Sequence, residues 1–389
     1  MFGKGITLFR IFGFAIRADV SWLIILGLVI WSLAGGVFPG ELKGLSTGAY
    51  ILMGVIGAMG LFLSIIFHEL CHSLVARRFN LPIRSITLFV FGGVSEMTDE
   101  PQSAKAEFLM AVAGPLSSGF LAAVFLLVAY AGRRAGWPAE VNTVIRWIGY
   151  INAVLAIFNL VPGFPLDGGR VLRSILWYSK NDLRWATRVA AMAGSGFGLG
   201  FMALGFLNLV TLNPIGGLWW IVIGIFLRSA AKQSYQQVVI RQMLQGEAVS
   251  KYMNRNPVTV APNLSVSSLV EDYIYRYHYK MFPVVRNGNL EGCVTTRDVQ
   301  SVPRDEWDNN AVQSIVKQCA VNNTIGPNDD AMKALSRMSQ NGVSRLLVVD
   351  DGHLEGIIAL SDLLRFLSAK LELEGEEKSA ADIGPTEEQ

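Results

Sequence analysis

Along the first 230 positions the apolar residues come in long, nearly unbroken runs. They show neither the alternation of a half-buried strand nor the single stripe of a soluble helix. Six runs, near 20–38, 50–75, 106–131, 144–161, 189–211 and 213–231, have about the 17–25 residues that a helix needs to cross a bilayer. The fourth runs into the helix-breaking Val161-Pro162-Gly163-Phe164-Pro165, and only Leu212-Asn213-Pro214 and the glycines after it divide the last two. Between the second and third runs, Ile83–Phe91 is β-branched and aromatic, is bounded by Pro82 and Gly92-Gly93, and is too short to span. It reads as a strand.

Beyond residue 248 the pattern changes to short strands and helices, and it repeats. Residues 249–300 and 311–368 each open on a short strand (Val258–Pro262, Thr324–Pro327) followed by a helix (Val266–Tyr277, Asp330–Asn341). Strands Met281–Val285 and Ser344–Val349 come next, then turns at Asn287-Gly288-Asn289 and Asp350-Asp351-Gly352. Strands Leu290–Val294 and Leu354–Ile358 and closing helices at Thr296–Val299 and Ser361–Leu367 complete the units. One strand–helix–strand–turn–strand–helix pattern used twice, about 64 residues apart, marks an internal repeat.

Composition sharpens this division. The 389 residues are 51% hydrophobic and 16% charged, with mean hydropathy +0.39, which argues against a disordered chain and an ordinary soluble enzyme. Residues 1–245 hold 19 of the 33 Lys+Arg and 10 of the 31 Asp+Glu, so the apolar part is basic and the repeat acidic. The overall charge of +2 offers no footprint for nucleic acid. Cys71, Cys293 and Cys319 are too few and too scattered for a disulfide framework or a cysteine zinc site. The stretch after Asp19 is too long for a signal-peptide core. Lys4, Arg10 and Arg17, then Arg77, Arg78 and Arg84, then Arg170, Arg173, Lys180, Arg184 and Arg188, then Arg228, Lys232 and Arg241 fall on one side of the six spans, with Arg133 and Arg134 dissenting. That bias puts both termini in the cytoplasm of a cell (inner or plasma) membrane protein.

The second run ends in Phe67-His68-Glu69-Leu70-Cys71-His72, an H-E-x-x-H pattern. Residues four apart lie on one helix face, so both imidazoles can meet one zinc ion with the Glu beside it as general base. Charged and imidazole groups inside a span are costly and point to function. The rival reading is a polar packing or proton-relay cluster. His68 precedes Arg77 by nine residues, about 14 Å along a helix, so the site is buried toward the cytosolic side. A catalytic zinc takes three protein ligands and keeps a fourth position open. Asp167, in Asn159-Leu-Val-Pro-Gly-Phe-Pro-Leu-Asp167-Gly-Gly-Arg170, is the best third ligand, with a helix N-cap as its rival role. Glu96 and Glu107 are rival ligands, more simply a solvated loop acid and a first-turn acid. Asn159 either donates to a developing oxyanion or joins two spans through its amide. The strand edge at Ile83–Phe91 either holds an unwound substrate by β-addition or plugs the cytosolic side.

His68-Glu69-Leu70-Cys71-His72 together with Asn159–Gly169, and Ala113-Gly114-Pro115 in the third run, resembles the site-2 protease family of intramembrane zinc metalloproteases. The resemblance covers about residues 50–180. It implies that His68, His72 and Asp167 bind zinc, that Glu69 is the catalytic acid/base and that Asn159 assists the transition state. It also implies a membrane-dipping β-hairpin after the second span. The repeat resembles a pair of cystathionine-β-synthase (CBS) modules, which pack as a pseudo-dimer and often bind adenine nucleotides. In such modules a Thr/Ser-x-x-Asp after the last strand touches phosphate and ribose. Here the first unit keeps it as Thr295 to Asp298, whereas the second has Ala359 before Asp362. Helix capping is the other role for both aspartates.

The expected fold is therefore a multi-pass α-helical membrane protein with six transmembrane helices and a short membrane-associated β-hairpin, followed by a cytosolic α/β CBS pair. The expected boundaries are an N-terminal cytosolic segment at 1–19, the protease domain at 20–232, a linker at 233–248, CBS modules at 249–304 and 305–370, and a disordered acidic tail at 371–389. The expected activity is zinc-dependent endoproteolysis of a transmembrane segment of another membrane protein, gated by nucleotide at the CBS pair. One zinc per chain, ATP or another adenine nucleotide, the lipid bilayer and a homodimer through the CBS modules are the expected ligands and partners. A CBS-regulated transporter or channel, with the same intramembrane residues as an ion path, is the rival reading, and a catalytically silent scaffold is a third.

Overall fold

Two units divide the chain, Met1–Tyr235 and Gln236–Gln389. The computed structural model describes residues 6–81, 83–89, 92–97, 101–211, 214–317 and 323–373. Pro82, the Leu212-Asn213 turn, Cys319 and positions 374–389 of the expected tail lie outside the described residues.

The first unit opens with a hairpin of β1 (Ile6–Ile11) and β2 (Phe14–Ala18), paired from Ile6↔Ala18 to Ile11↔Phe14. Phe12 (φ +49°) and Gly13 (φ +89°) make its two-residue turn, and two left-handed residues suit the twist of a tight hairpin. Asp19 then caps α1 (Val20–Ser32), its Oδ1 accepting from Ser21 N at 2.9 Å. A π-helical segment, Leu33–Val37, leads to α2 (Phe38–Glu41). The long α3 (Thr47–Arg78) follows, then β3 (Ile83–Phe89), β4 (Gly92–Met97) and α4 (Ala104–Arg134). The unit continues with α5 (Ala139–Asn159), α6 (Asp167–Lys180) and α7 (Leu183–Thr211). The division between the units falls inside α8 (Pro214–Leu244).

Five stretches among the described residues are long and apolar enough to cross a membrane: Val20–Glu41, Thr47–Arg78, Ala104–Arg134, Ala139–Asn159 and Leu183–Val210. The sixth expected run opens α8 and is not among the five; that helix carries on into the polar residues read as a linker.

The strands depart from expectation. The segment read as an N-terminal tail pairs in parallel with β3 (Ala15↔Ser85 to Ala18↔Leu88), and β3 pairs antiparallel with β4. The result is a four-stranded sheet in the order β1-β2-β3-β4 rather than a lone hairpin. The strand expected to offer a free edge is therefore interior, and β4 stands at the edge. The sheet is fixed on α3 by a core of Phe14, Ile16, Ile86 and Leu88 against Ile66 and Leu70.

The second unit is built around one sheet, ordered β5-β6-β9-β8-β7. Its strands are β5 (Met281–Arg286), β6 (Asn289–Thr295), β7 (Thr324–Ile325), β8 (Arg345–Asp350) and β9 (His353–Ala359). Helices α9 (Val266–Ser268), α10 (Tyr275–Tyr277), α11 (Thr296–Gln300), α12 (Ala331–Asn341) and α13 (Leu360–Leu373) flank it, with a π-helical Leu269–Ile274 between α9 and α10. Residues 371–373, read as the start of the tail, therefore belong to α13. The repeat is visible in the turns: Asn287-Gly288 and Asp351-Gly352 both take left-handed pairs of φ angles. It is visible too in the parallel pairing of Val260 with Val284, matched by β7 with β8.

Candidate active site

The site is assembled from the C-terminal half of α3, the middle of α4 and the first residue of α6. On α3, Ser64, His68, His72 and Ala76 recur every four residues and form a buried stripe facing the other helices. The two imidazoles meet edge to face with centroids 4.8 Å apart. Each is oriented by α4: His68 Nδ1 lies 2.9 Å from Ser118 Oγ, and His72 Nδ1 lies 2.6 Å from the Met110 carbonyl. A carbonyl only accepts, so His72 carries its proton on Nδ1 and keeps a lone pair on Nε2 when neutral.

Asp167 arrives from the other side. Helix α5 stops at Asn159, and the Val-Pro-Gly-Phe-Pro sequence turns the chain into α6. The two glycines after Asp167 let this turn fold flat. A Cβ on Gly168 would sit 2.4 Å from the Leu160 and Val161 carbonyl oxygens, and one on Gly169 would sit 2.4 Å from Phe164 N. Asp167 does not cap α6; Leu166 holds the cap position, and the Asp167 carboxylate turns to the histidines. Its Oδ2 is 3.0 Å from His68 Nε2 and 3.1 Å from His72 Nε2, and those two nitrogens are 3.2 Å apart.

These three groups could hold a metal ion. Two imidazoles and a carboxylate make a common zinc donor set, and a tetrahedral shell of ~2.0–2.1 Å bonds places donor atoms roughly 3.3 Å from one another. The backbone of α4 leaves room where they converge. A Cβ on Gly114 would sit 2.1 Å from His72 Nε2 and 2.6 Å from His68 Nε2. The residues present therefore fit zinc.

Glu69, half-buried on α3, lies beside this cluster. Its side chain packs under β4, where a Cβ on Gly93 would fall 2.8 Å from Glu69 Cγ. Asn159 closes α5 at the start of the Asp167 loop, and no hydrogen bond from its side chain is seen among the described residues. The amide that does join two spans is Asn152, missed from the sequence: fully buried, it donates to Ser64 Oγ (2.9 Å) and to Ile148 O (2.8 Å). A lone amide in Ile-Asn-Ala-Val-Leu was its only signal.

Glu107 is not a ligand. It sits seven residues before Gly114, about 10 Å along α4, and is fully buried against Arg173. Arg173 is itself 6% exposed, so this arginine, counted from the sequence only among the cations on one side of the spans, is a buried structural one. Glu96 lies on β4, with its side chain outside the described residues.

In the second unit, Thr295 and Asp298 are brought together as a capping box. Asp298 Oδ2 accepts from Thr295 N at 2.8 Å and from its hydroxyl at 2.5 Å, and Lys317 forms an ion pair with the same carboxylate. Asp362 repeats the cap alone, accepting from Ala359 N at 3.1 Å.

Comparison with known proteins follows the same division. The pattern of peptidase family M50 matches residues 56–133 and 134–201, and that of the CBS domain matches 249–304 and 316–369. The Rip3 protein of Mycobacterium tuberculosis is 35% identical over 366 residues, 93% of this chain and 92% of that one. The zinc metalloprotease MJ0392 of Methanocaldococcus jannaschii is 30% identical over 375 residues, 96% of this chain and 98% of that one. Among solved structures, the site-2 protease from M. jannaschii is 27% identical, covers 60% of this chain and 95% of that one, and superposes with a TM-score of 0.42.

Proposed function

The chain belongs to peptidase family M50, as a site-2-type zinc metalloprotease with a CBS pair, and from that premise we propose that it hydrolyses a peptide bond within a membrane-spanning segment of another protein. The observation that carries this reading is the convergence of His68 Nε2, His72 Nε2 and Asp167 Oδ2 in the hollow left by Gly114. In our reading these three residues hold zinc. Zinc bound there supplies Lewis-acid chemistry, making water acidic near neutral pH and polarising a carbonyl.

The chain's own groups do the rest. Ser118 and the Met110 carbonyl hold the imidazoles with their Nε2 lone pairs directed inward. The Glu69 carboxylate takes the proton of the attacking water and returns it to the leaving amide nitrogen. Asn159, at the mouth of the Asp167 loop, donates to the carbonyl oxygen as charge builds on it. A transmembrane helix shields its own peptide bonds, so the substrate must unwind. The edge strand β4, lying over Glu69 through Gly93, offers backbone groups to an extended segment.

We further read the protein as a cell-membrane protein with both termini in the cytoplasm, dimeric through its CBS modules. The CBS pair adjusts cleavage in response to an adenine nucleotide at Thr295, Asp298 and Asp362. The capping box speaks for a fixed loop at the first unit, and the missing hydroxyl at Ala359 speaks for one strong cleft rather than two.

Replacing Glu69 by Gln tests the mechanism. The variant should retain one zinc per chain and lose cleavage of a membrane-spanning substrate, whereas His68→Ala should lose the zinc. A Glu69→Gln protein that still cuts would overturn the assignment.

A further inference from the structure

One face of α4 carries Glu107, Met110, Gly114 and Ser118, spaced three, four and four residues apart. Three of them act on the histidines: Ser118 orients His68, the Met110 carbonyl orients His72, and Gly114 leaves the hollow between them. The fourth reaches the remaining ligand's helix. Glu107 Oε1 accepts from Arg173 Nε at 2.7 Å and from Arg173 Nη2, and Arg170 Nε is 3.9 Å from the same oxygen.

Arg173 stands six residues after Asp167, about 9 Å along α6. Its guanidinium also lies over the Phe164 ring, 5.2 Å from the centroid, in the loop that delivers Asp167. Phe164 N in turn donates to Ala190 O of α7 at 3.1 Å. One side chain therefore grips both the helix after Asp167 and the loop before it, and fastens them to the helix that aims the histidines.

We infer that the Glu107–Arg173 pair is a positioning device that sets the Asp167 carboxylate against His68 and His72. The inference rests on the metal reading above. A role in stability alone accounts poorly for the pair. Glu107 is fully buried, its Oε2 has no hydrogen-bond partner among the described residues, and both Arg173 donors converge on a single oxygen. Buried ion pairs are commonly replaceable by apolar side chains at no cost to stability, and what such replacements cannot supply is a directional tie. The ion pair on one side of the guanidinium and the Phe164 ring on the other together oppose sliding and rotation of α6. Either movement would carry Asp167 away from its partners.

The test is zinc affinity, read on the purified full-length protein by competition with a fluorescent chelator, beside the melting temperature of the metal-free form. The double variant Glu107→Leu/Arg173→Leu should bind zinc roughly tenfold more weakly, the low end of the ~10- to 100-fold cost of losing a group bonded directly to a ligand, while the metal-free protein melts no lower than the wild type. Arg173→Lys keeps the charge but not the two-donor grip. It should weaken zinc several-fold, and it decides the matter if the double variant does not fold. Wild-type affinity in either folded variant overturns the inference. Zinc that stays bound in the His68→Ala variant overturns the metal centre itself, and the inference with it.

Discussion

Gly114→Ala adds one methyl group and should weaken zinc binding by about 100-fold or more. The new Cβ would fall 2.1 Å from His72 Nε2, 2.5 Å from His72 Cε1 and 2.6 Å from His68 Nε2. Ordinary contact requires well over 3 Å, so the His72 ring must retreat by about 1 Å, against a tolerance of ~0.2 Å in metal–ligand distances. The helix cannot back away instead, because Met110 and Ser118 on the same face hold the same two rings at 2.6 and 2.9 Å. Misplacement by 1 Å commonly costs about 100-fold in rate, so cleavage should fall to roughly 1% or less, with zinc affinity down at least as far. The fold should survive, since Gly to Ala in a helix interior gains about 1 kcal/mol of propensity. Gly119→Ala on the same helix is the control, for nothing lies within 4 Å of its added Cβ. The assay is zinc competition on detergent-solubilised protein together with cleavage of a membrane-spanning reporter. A Gly114→Ala protein that binds zinc and cuts like Gly119→Ala would refute the convergence of donors on this hollow.

Two further outcomes follow from the same geometry. Ser118→Ala removes the partner of His68 Nδ1 and should weaken zinc about tenfold at the mild end of outer-shell effects, with no loss of helicity by circular dichroism; unchanged affinity would show that Ser118 does not orient the ring. In the second unit, burial alone would raise the Asp298 carboxyl, but hydrogen bonds from Lys317 and Thr295 outweigh it and hold the group below its ordinary value. Its contribution to stability is therefore full above the unfolded value of ~3.9 and is lost as pH falls through the lower folded value. Urea unfolding between about pH 5 and pH 3 should show a steeper loss for wild type than for Asp298→Asn, and equal slopes would contradict the ion pair.

The parts of the site that were legible in the sequence are those whose chemistry demands a fixed spacing. His68 and His72 must be four apart to share a helix face, and a carboxylate among prolines and glycines, deep in apolar sequence, needs a reason to be there. The parts that were not legible depend on partners far away in the chain. Arg173 looks like any cytosolic loop arginine until Glu107, 66 residues earlier, is found beside it. The β1–β2 hairpin escaped for two local reasons. Its turn is Phe12-Gly13 rather than the usual Asn-Gly, and β2 is buried on both faces, which erases the alternation that marks a half-buried strand. Its presence covers the outer edge of β3 and leaves the sheet's edges at β1 and at β4, the strand that lies over Glu69.

The repeat holds a similar lesson about glycine. Leu-Glu-Gly at 290–292 and 354–356 helped to locate the two CBS modules, but the pattern says nothing about why the third position is Gly. In the fold a Cβ on Gly292 would meet the Lys317 carbonyl at 2.4 Å, and one on Gly356 would meet the Asn254 carbonyl at 2.6 Å. Cys293 pairs with Lys317 and Ile357 with Asn254, so each module's strand is crossed by the segment that opens the other module. The glycines are what let those segments cross. The exchange also decides what the chain meets on leaving α8. Gly246 N donates to Asp330 Oδ2 at 2.7 Å, Val249 N to Asp329 O at 2.9 Å and Asn254 N to Ile357 O at 2.7 Å. The segment after α8, which leads into and opens the first module, is thus bonded to the second. Any displacement of the second module relative to the first must therefore act on residues 246–254.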